Sequence, residues 1–567
     1  MDALLLPGRQ SPTDRRFAAG GRLLLVSGLL VYGLFLVRFM GGYASGADQS
    51  GYLNLARLLA DGRVSAPMRI IAELPADRVP SFAYVPLGFN PNPDHRTLNP
   101  IYAPGLPLLI MAAAKLVGWT LAPGLVLGLH ALIGLWLVYL LGRTVGLEAG
   151  WAWFGALLVA VSPLYVMFAL QTMSDLPSLV WVAAAILSAW KSHQRRWLAL
   201  VAGAAYSIAV LVRATNVLAL LPLAIALGSS RDRWLLLIAG GLPGALFQGG
   251  FNLAAYHRLV ATGYGDVDQY FSWRCLREAG ARYAVWLPVL LTPLGALSLG
   301  LPLLRRYRPM PLAWLSAWAL VFPGFYLFYR ITQGPWWVLR FILPAFPPLA
   351  VGALLVAREF LAWRRIRPRA IWLAPVALAV VVHGAYWSHE LHALGVGRGQ
   401  QAYPQMAEWM REHLPDHAVV AAMQTSGALF YYTQFPIIRW DTMPPGDFAR
   451  LVAGCMAAGR PVYAALHQDE INEPRWAAFP RRLPGHWTQV GAVRYLSLWR
   501  CDSTDAAPSA GGARLAEPRP APVEREAAPL LGPQAGVSNG TLPAGVPARL
   551  HCHGQDNPLR LAPRCPS

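Results

Sequence analysis

Two carboxylates and three guanidinium groups carry the chemistry this sequence could perform. Asp48 follows the first apolar run in Gly46-Ala47-Asp48-Gln49-Ser50-Gly51-Tyr52, and Asp175 lies between apolar runs in Thr172-Met173-Ser174-Asp175-Leu176-Pro177. A carboxylate at membrane depth is costly unless it is paired or wet, so each marks a site. Arg213 precedes Thr215 and Asn216, Arg330 follows Tyr329, and Arg340 sits in Trp336-Trp337-Val338-Leu339-Arg340-Phe341-Ile342-Leu343-Pro344. All three fall at helix ends opposite the other basic clusters, and guanidinium forks bind phosphate bidentately. Two acids and several arginines together in an outer-leaflet cavity would suit a phospholipid-linked anion. The competing role for each acid is a helix cap, with Pro177 tolerated in a first turn. For each arginine it is snorkelling to lipid headgroups.

A metal role is a further option for Asp48. His95, in Asn90-Pro91-Asn92-Pro93-Asp94-His95-Arg96, is the candidate partner, and a divalent cation such as Mg or Mn is what the two would hold. A solvated loop histidine is the alternative. His551-Cys552-His553 lacks a fourth ligand.

The elements that must position these groups follow from composition. Of 567 residues, 55% are hydrophobic and only 14% charged, with a mean hydropathy of +0.38. Soluble chains carry about a quarter charged residues, so an α-helical multi-pass membrane protein is expected, and a cytosolic enzyme or single-anchor ectodomain is excluded. The net charge of +19 is scattered between apolar runs, which argues against nucleic acid as a partner. Neither lysine, Lys115 or Lys191, sits in a P-loop context, so ATP hydrolysis is not expected.

Arg9, Arg15, Arg16 and Arg22 precede the run Leu23 to Met40 and place the N-terminus, residues 1–22, in the cytoplasm. A cleaved signal peptide competes, but the run is long for one. Threading apolar runs through the arginine clusters gives about 11 spans within 23–387: near 23–40, 121–142, 151–170, 176–190, 197–212, 214–228, 234–254, 283–304, 312–329, 341–357 and 371–387. Pro104 to Gly118 is short and reads as a re-entrant or interfacial helix on the outer face.

The first outer loop, 41–103, opens with a helical pattern. At 100° per residue Tyr52, Leu55, Ala56 and Leu59 share one face and Asn54, Arg57 and Asp61 the other, as in a helix lying in the interface. Residues 388–501 read as a small extracytoplasmic α/β domain: helices at 402–414, 426–433 and 445–458, strands at 418–422, 437–440 and 461–466, and a hairpin at 487–499. That alternation predicts a small parallel sheet. Residues 502–567 are rich in Pro, Ala, Gly and Arg and predict a disordered tail. Cys275, Cys455, Cys501, Cys552 and Cys565 all fall on the outer side. Their number is odd, and a Cys552 to Cys565 bridge or none are both open.

In this order, Asp48 with Tyr52, Ala56 and Gly62, Tyr102-x-Pro-Gly-x-Pro-Leu-Leu109, Ser174-Asp175-x-Pro177, Arg213-x-Thr215 and Arg340-Phe-x-Leu-Pro344 resemble the GT-C glycosyltransferases that use polyprenyl-phosphate sugars, including O-mannosyltransferase-like and aminoarabinose-transferase-like proteins. The resemblance covers about residues 20–390. It implies an inverting hexosyl or pentosyl transfer on the outer face of the bacterial inner membrane, from a polyprenyl-phosphate donor to a glycan, lipid or protein acceptor. It makes Asp48 and Asp175 the catalytic acids, with Asp48 as base or cation holder. Arg340, Arg213 and Arg330 become donor-phosphate ligands, and Tyr52, Tyr102 and Asn216 substrate-binding residues. Where the mannosyl and aminoarabinose branches tend to carry Lys-Pro-Pro or a similar polar entry, this chain has Tyr102-Ala103-Pro104, so the resemblance does not carry over their particular substrates.

Two other classes compete. A lipid-linked glycan ligase or polymerase would centre its chemistry on the late outer region, and a transporter or flippase would show inverted repeats and midplane charges. The polar residues instead cluster at outer ends, around Asp48.

Overall fold

The computed structural model describes residues 12–74, 79–265, 267–304, 309–366, 370–472 and 478–504. The apolar runs are helices, because a backbone without water to bond must satisfy its own N–H and C=O groups. Fourteen helices precede residue 391 among the described residues: α1 (Pro12–Phe39), α2 (Ala47–Ala60), α3 (Gly105–Val117), α4 (Ala122–Thr144), α5 (Ala149–Ala160), α6 (Pro163–Ala169), α7 (Asp175–Lys191), α8 (Leu198–Val212), α9 (Leu220–Leu227), α10 (Arg231–Tyr256), α11 (Cys275–Leu290), α12 (Pro309–Tyr326), α13 (Phe346–Trp363) and α14 (Ala370–Glu390).

By length and composition α4, α10 and Trp336–Trp363 are each able to cross a membrane. Two bent pairs, α5 with α6 and α11 with the 3-10 segment Pro293–Leu303, would each make one more. The stretch 151–170, expected as one span, therefore turns by 68°. Proline explains the turn: Ser162, ahead of Pro163, is forced out of helical geometry and Pro163 opens a new helix. Helices α8 and α10 cross at glycines, where a side chain on Gly203 would strike the Leu237 carbonyl and one on Gly240 the Leu200 carbonyl. The outward faces of α1, α10 and α14 are lined by exposed Leu, Ile and Val, including Leu34, Ile238 and Leu378.

Residues 41–103 add a small antiparallel sheet of β1 (Ala66–Pro67), β2 (Phe89–Pro91) and β3 (Thr97–Pro100), in the order β1-β3-β2. After α15 (Val396–Gly399) come α16 (Ala402–His413), β4 (Val419–Ala422), α17 (Ser426–Tyr432), β5 (Ile437–Ile438), α18 (Pro445–Ala457), β6 (Val462–His467), α19 (Gln468–Asn472), β7 (His486–Val493) and β8 (Leu496–Ser503). The sheet runs β5-β4-β6-β8-β7. Strands β5, β4 and β6 are parallel, and every residue of β4 is buried, as an internal parallel strand demands. The sheet is mixed, not wholly parallel. The two residues between β7 and β8, with Arg494 at φ +55°, fold the chain straight back, so the hairpin pairs antiparallel and docks antiparallel on β6.

This domain and the segment 41–103 share one core: Ile71, Ala83, Phe89 and Leu98 pack with Val419, Ile438, Trp440 and Phe448. The same packing seats α2 against the α/β domain. Asn54 is buried and donates to the Gly427 carbonyl at 3.1 Å, and Arg57 donates to the Tyr431 carbonyl at 2.9 Å while stacking on the Tyr431 ring. A side chain on Gly427 would run into Ser50 and the Leu87 carbonyl, so α17 rests directly on α2. Cys275, Cys455 and Cys501 are buried free thiols. Residues 1–11 of the expected cytoplasmic start 1–22, residues 505–567 of the expected tail 502–567, and with them Cys552, Cys565 and the His551-Cys552-His553 stretch, lie outside the described residues, while 502–503 belong to β8.

Candidate active site

Asp48 lies in the first turn of α2, next to Ser50, on which α17 rests. Its Oδ1 accepts from the Tyr102 hydroxyl at 2.7 Å, and its Oδ2 pairs with Arg340 Nη2 at 2.8 Å. Arg340 comes from the 3-10 segment Trp336–Ala345, where Pro335 and Pro344 favour a tight non-α course and turn the guanidinium across the bundle. Burial alone would raise the Asp48 carboxyl. The Arg340 charge and the hydrogen bonds from Tyr102 and Arg340 outweigh it and hold the group below its ordinary value. Burial, then Asp48, pushes the Tyr102 phenol well above its ordinary value, so it stays a donor.

Asp175 opens α7 and is fully buried. It makes no side-chain cap; its Oδ1 instead pairs with Arg213 Nη1 at 2.8 Å. Arg213 ends α8 in an extended conformation, which aims its side chain back at α7. The two pairs share one pocket, because Arg213 and Arg340 lie 5.1 and 5.2 Å from the centroid of the same ring, Phe341. Around them the Tyr52 hydroxyl donates to Ser174 Oγ at 2.8 Å, its ring lies 4.8 Å from Tyr102, and Tyr326 donates to Thr215 Oγ1 at 2.9 Å. Arg340 Nε is buried with no acceptor among the described residues, leaving a guanidinium donor unused.

The other sequence candidates stand differently. Asn216 is fully buried, accepting from Ser178 and donating to the Ala209 carbonyl, so it braces α7 against α8. Arg330 does not join the cluster: it is exposed near Cys275, because the 3-10 turn Arg330–Gln333 faces it away from Phe341. His95 does not meet Asp48. It sits exposed on the turn between β2 and β3, at φ +53° and bonded to Ser81. Among the described residues no three His, Cys, Asp or Glu side chains gather in a metal-holding group, and both Asp48 oxygens are engaged by a phenol and a guanidinium, a donor set that does not fit a divalent cation.

Sequence reasoning missed three features. Phe341 is the ring on which both guanidiniums converge, visible only as the neighbour of Arg340 in its motif. Tyr264, from the loop after α10, lies edge-on to Tyr102 at 6.1 Å with more than half its surface exposed. Gln171 accepts from both Gln49 and Gln400, tying α2, the α6–α7 linker and the α/β domain together. Neither Tyr264 nor this glutamine link has a local sequence signal.

No family model matches this chain, and no curated protein matches it by sequence. Solved structures do. The crystal structure of ArnT from Cupriavidus metallidurans bound to undecaprenyl phosphate is 15% identical, with a TM-score of 0.51 over 87% of this chain and 100% of that one. Its apo form is also 15% identical, with a TM-score of 0.52 over 87% and 99%. The chain has a GT-C-like fold.

Proposed function

We propose that this protein is an inverting glycosyltransferase that moves a sugar from a polyprenyl-phosphate donor to a lipid, glycan or protein acceptor at the outer face of a bacterial inner membrane. The observation that carries the reading is the pocket itself: two acid–arginine pairs converging on Phe341, with a buried guanidinium donor unused. That the similar ArnT structure holds undecaprenyl phosphate supports a polyprenyl-phosphate donor.

In this mechanism the acceptor hydroxyl attacks the anomeric carbon from the face opposite the phosphate. Its proton passes to Asp48, the bond from the anomeric carbon to phosphate oxygen breaks, and the electron pair leaves on the lipid phosphate. Charge counting assigns the arginines. Two carboxylates and two guanidiniums leave the resting pocket neutral, so an arriving phosphate must compete with an acid for a cation. Arg213 is bound to a fully buried acid and Arg340 to a partly exposed one, so Arg340 is the one that can be shared. Donor binding then draws Arg340 from Asp48 and restores the basicity that Arg340 suppresses. Asp175 is a positioning residue that holds Arg213, and Tyr102 and Tyr52 orient Asp48 and the α6–α7 linker. Mass spectrometry of glycolipids and glycoproteins from cells lacking the protein should show one sugar addition missing; an unchanged profile would refute the reading.

A further inference from the structure

A second basic cluster lies at the same end of the bundle, outside the acid–arginine pocket. Arg38 ends α1, Arg398 belongs to α15, and Arg494 turns the β7–β8 hairpin. Arg398 donates to the Arg38 carbonyl at 2.8 Å and Arg494 to the Arg398 carbonyl at 2.9 Å. The guanidinium carbons of Arg38 and Arg398 lie 5.6 and 5.1 Å from the Phe39 ring centroid. Among the described residues none of the three has an acidic partner, so three positive charges stand uncompensated where α1 ends.

Directly below them runs a groove of about 590 Å³ between α1, α5 and α14, walled almost wholly by apolar side chains from Leu24 up to Phe35, with Leu394 at its upper end. At 1.5 Å per residue the Leu24 to Phe35 stretch is about 16 Å long, roughly half the ~30 Å hydrocarbon core of a bilayer. The Tyr32 hydroxyl on its wall has no partner among the described residues. The groove is separate from the pocket: Val166 of α6 lines the groove, while Phe168 of the same helix lies under Arg340 at 5.8 Å.

We propose that this groove and its arginine cluster seat one anionic phospholipid, an acyl chain along α1 and the headgroup phosphate against Arg38, Arg398 and Arg494. The length fits a chain of one leaflet, and the uncompensated charge selects an anionic head over a zwitterionic one. A polyprenyl chain, longer than a leaflet is thick, would overrun the groove. The seat also touches the catalytic scaffold, because Gly397, next to Arg398, packs its backbone on Phe39 and on Leu170 at the start of the linker to Asp175.

Native mass spectrometry of the full-length, delipidated protein tests this with phosphatidylglycerol, phosphatidylcholine, undecaprenyl phosphate and inorganic phosphate as probes. One phosphatidylglycerol should bind about tenfold or more tightly than phosphatidylcholine. Arg38→Gln with Arg494→Gln should weaken it roughly 25-fold, about fivefold per arginine near a membrane surface. Gly28→Phe, which fills the groove beside Trp153, should abolish it, and undecaprenyl phosphate binding should be unaffected by either. The surface arginine pair keeps the test decisive if the Phe variant does not fold. Equal binding of the two phospholipids, or arginine variants that bind phosphatidylglycerol normally, would overturn the proposal. So would displacement of phosphatidylglycerol by undecaprenyl phosphate, or inorganic phosphate binding as tightly as the lipid.

Discussion

If Arg340 is shared between Asp48 and the donor phosphate, Asp48→Asn should separate chemistry from binding in opposite directions. The amide keeps the shape: one oxygen can still accept from Arg340, and the new NH2 group can donate to the Tyr102 oxygen after that hydroxyl rotates. What is lost is the negative charge. Without a base, transfer should fall by about 10²- to 10⁴-fold. Donor binding should tighten, because the pocket goes from neutral to one net positive charge. A unit charge about 6 Å from the phosphate at an effective dielectric near 20 is worth roughly 2.8 kcal/mol. Asp48 is 27% exposed, so solvent screening cuts this to an effect on the order of tenfold in donor affinity. The assay is full-length protein in proteoliposomes, with transfer followed by product mass spectrometry and donor affinity measured separately on the same preparation. Normal transfer would remove Asp48 as the base. Donor binding weakened tenfold would mean that Asp48 holds the donor, and would refute the shared-arginine argument.

Three further outcomes follow from the geometry. Gly51→Ala places a methyl group in the Tyr102 ring, so it should pull Tyr102 from Asp48 and lower transfer at least tenfold, with the melting temperature nearly kept; full activity would show that Tyr102 does not orient the acid. Asp175→Asn strands Arg213, 14% exposed, without its countercharge and should cost about 3–5 kcal/mol; the thermal midpoint in detergent should fall steeply, and Asp175→Leu with Arg213→Met should recover most of the stability but not transfer. Burial pushes the Glu470 carboxyl from 4.5 up to about 8, against hydrogen bonds from the His467 and Gln424 N–H groups. The folded chain then holds a proton between those values that the unfolded chain lacks, so this contribution is full below about pH 4.5 and lost as pH rises through 8. Differential scanning fluorimetry should show the α/β domain weakening from pH 5 to 8 and Glu470→Gln flattening that slope; identical slopes would contradict it.

The helical apolar runs and the alternating elements of the α/β domain were legible in the sequence because each rests on local rules. Apolar periodicity, Gly and Pro punctuation and the arginine clusters all act over a few residues, and the strand at Val419–Ala422 and the helix at Ala402–His413 fall within a residue or two of expectation. Asp48, Asp175, Arg213 and Arg340 stood out for the same kind of reason, as charges where charge is costly. Their pairing was not legible. Asp48 meets Arg340 across nearly 300 positions, through a 3-10 course that hydropathy does not report.

The places where expectation failed are likewise non-local. The pattern of α2, read as a helix lying in the interface, does not report that Asn54 and Arg57 find their acceptors on α17 carbonyls more than 370 residues away, with Asn54 buried and Arg57 and Asp61 still exposed. Arg330 and Arg340 carry the same charge ten residues apart, yet only the second enters the pocket, since backbone course and not residue type sets where a guanidinium points. His95 shows the converse, a metal-capable side chain that sits on a hairpin turn and does not meet Asp48. Composition and spacing by themselves determined that the apolar runs of this chain are helices and which charges are too expensive to be incidental, because burial free energy is read residue by residue. Which of those charges meet was decided only by the tertiary fold, because an ion pair depends on distance in space and the sequence records only distance along the chain.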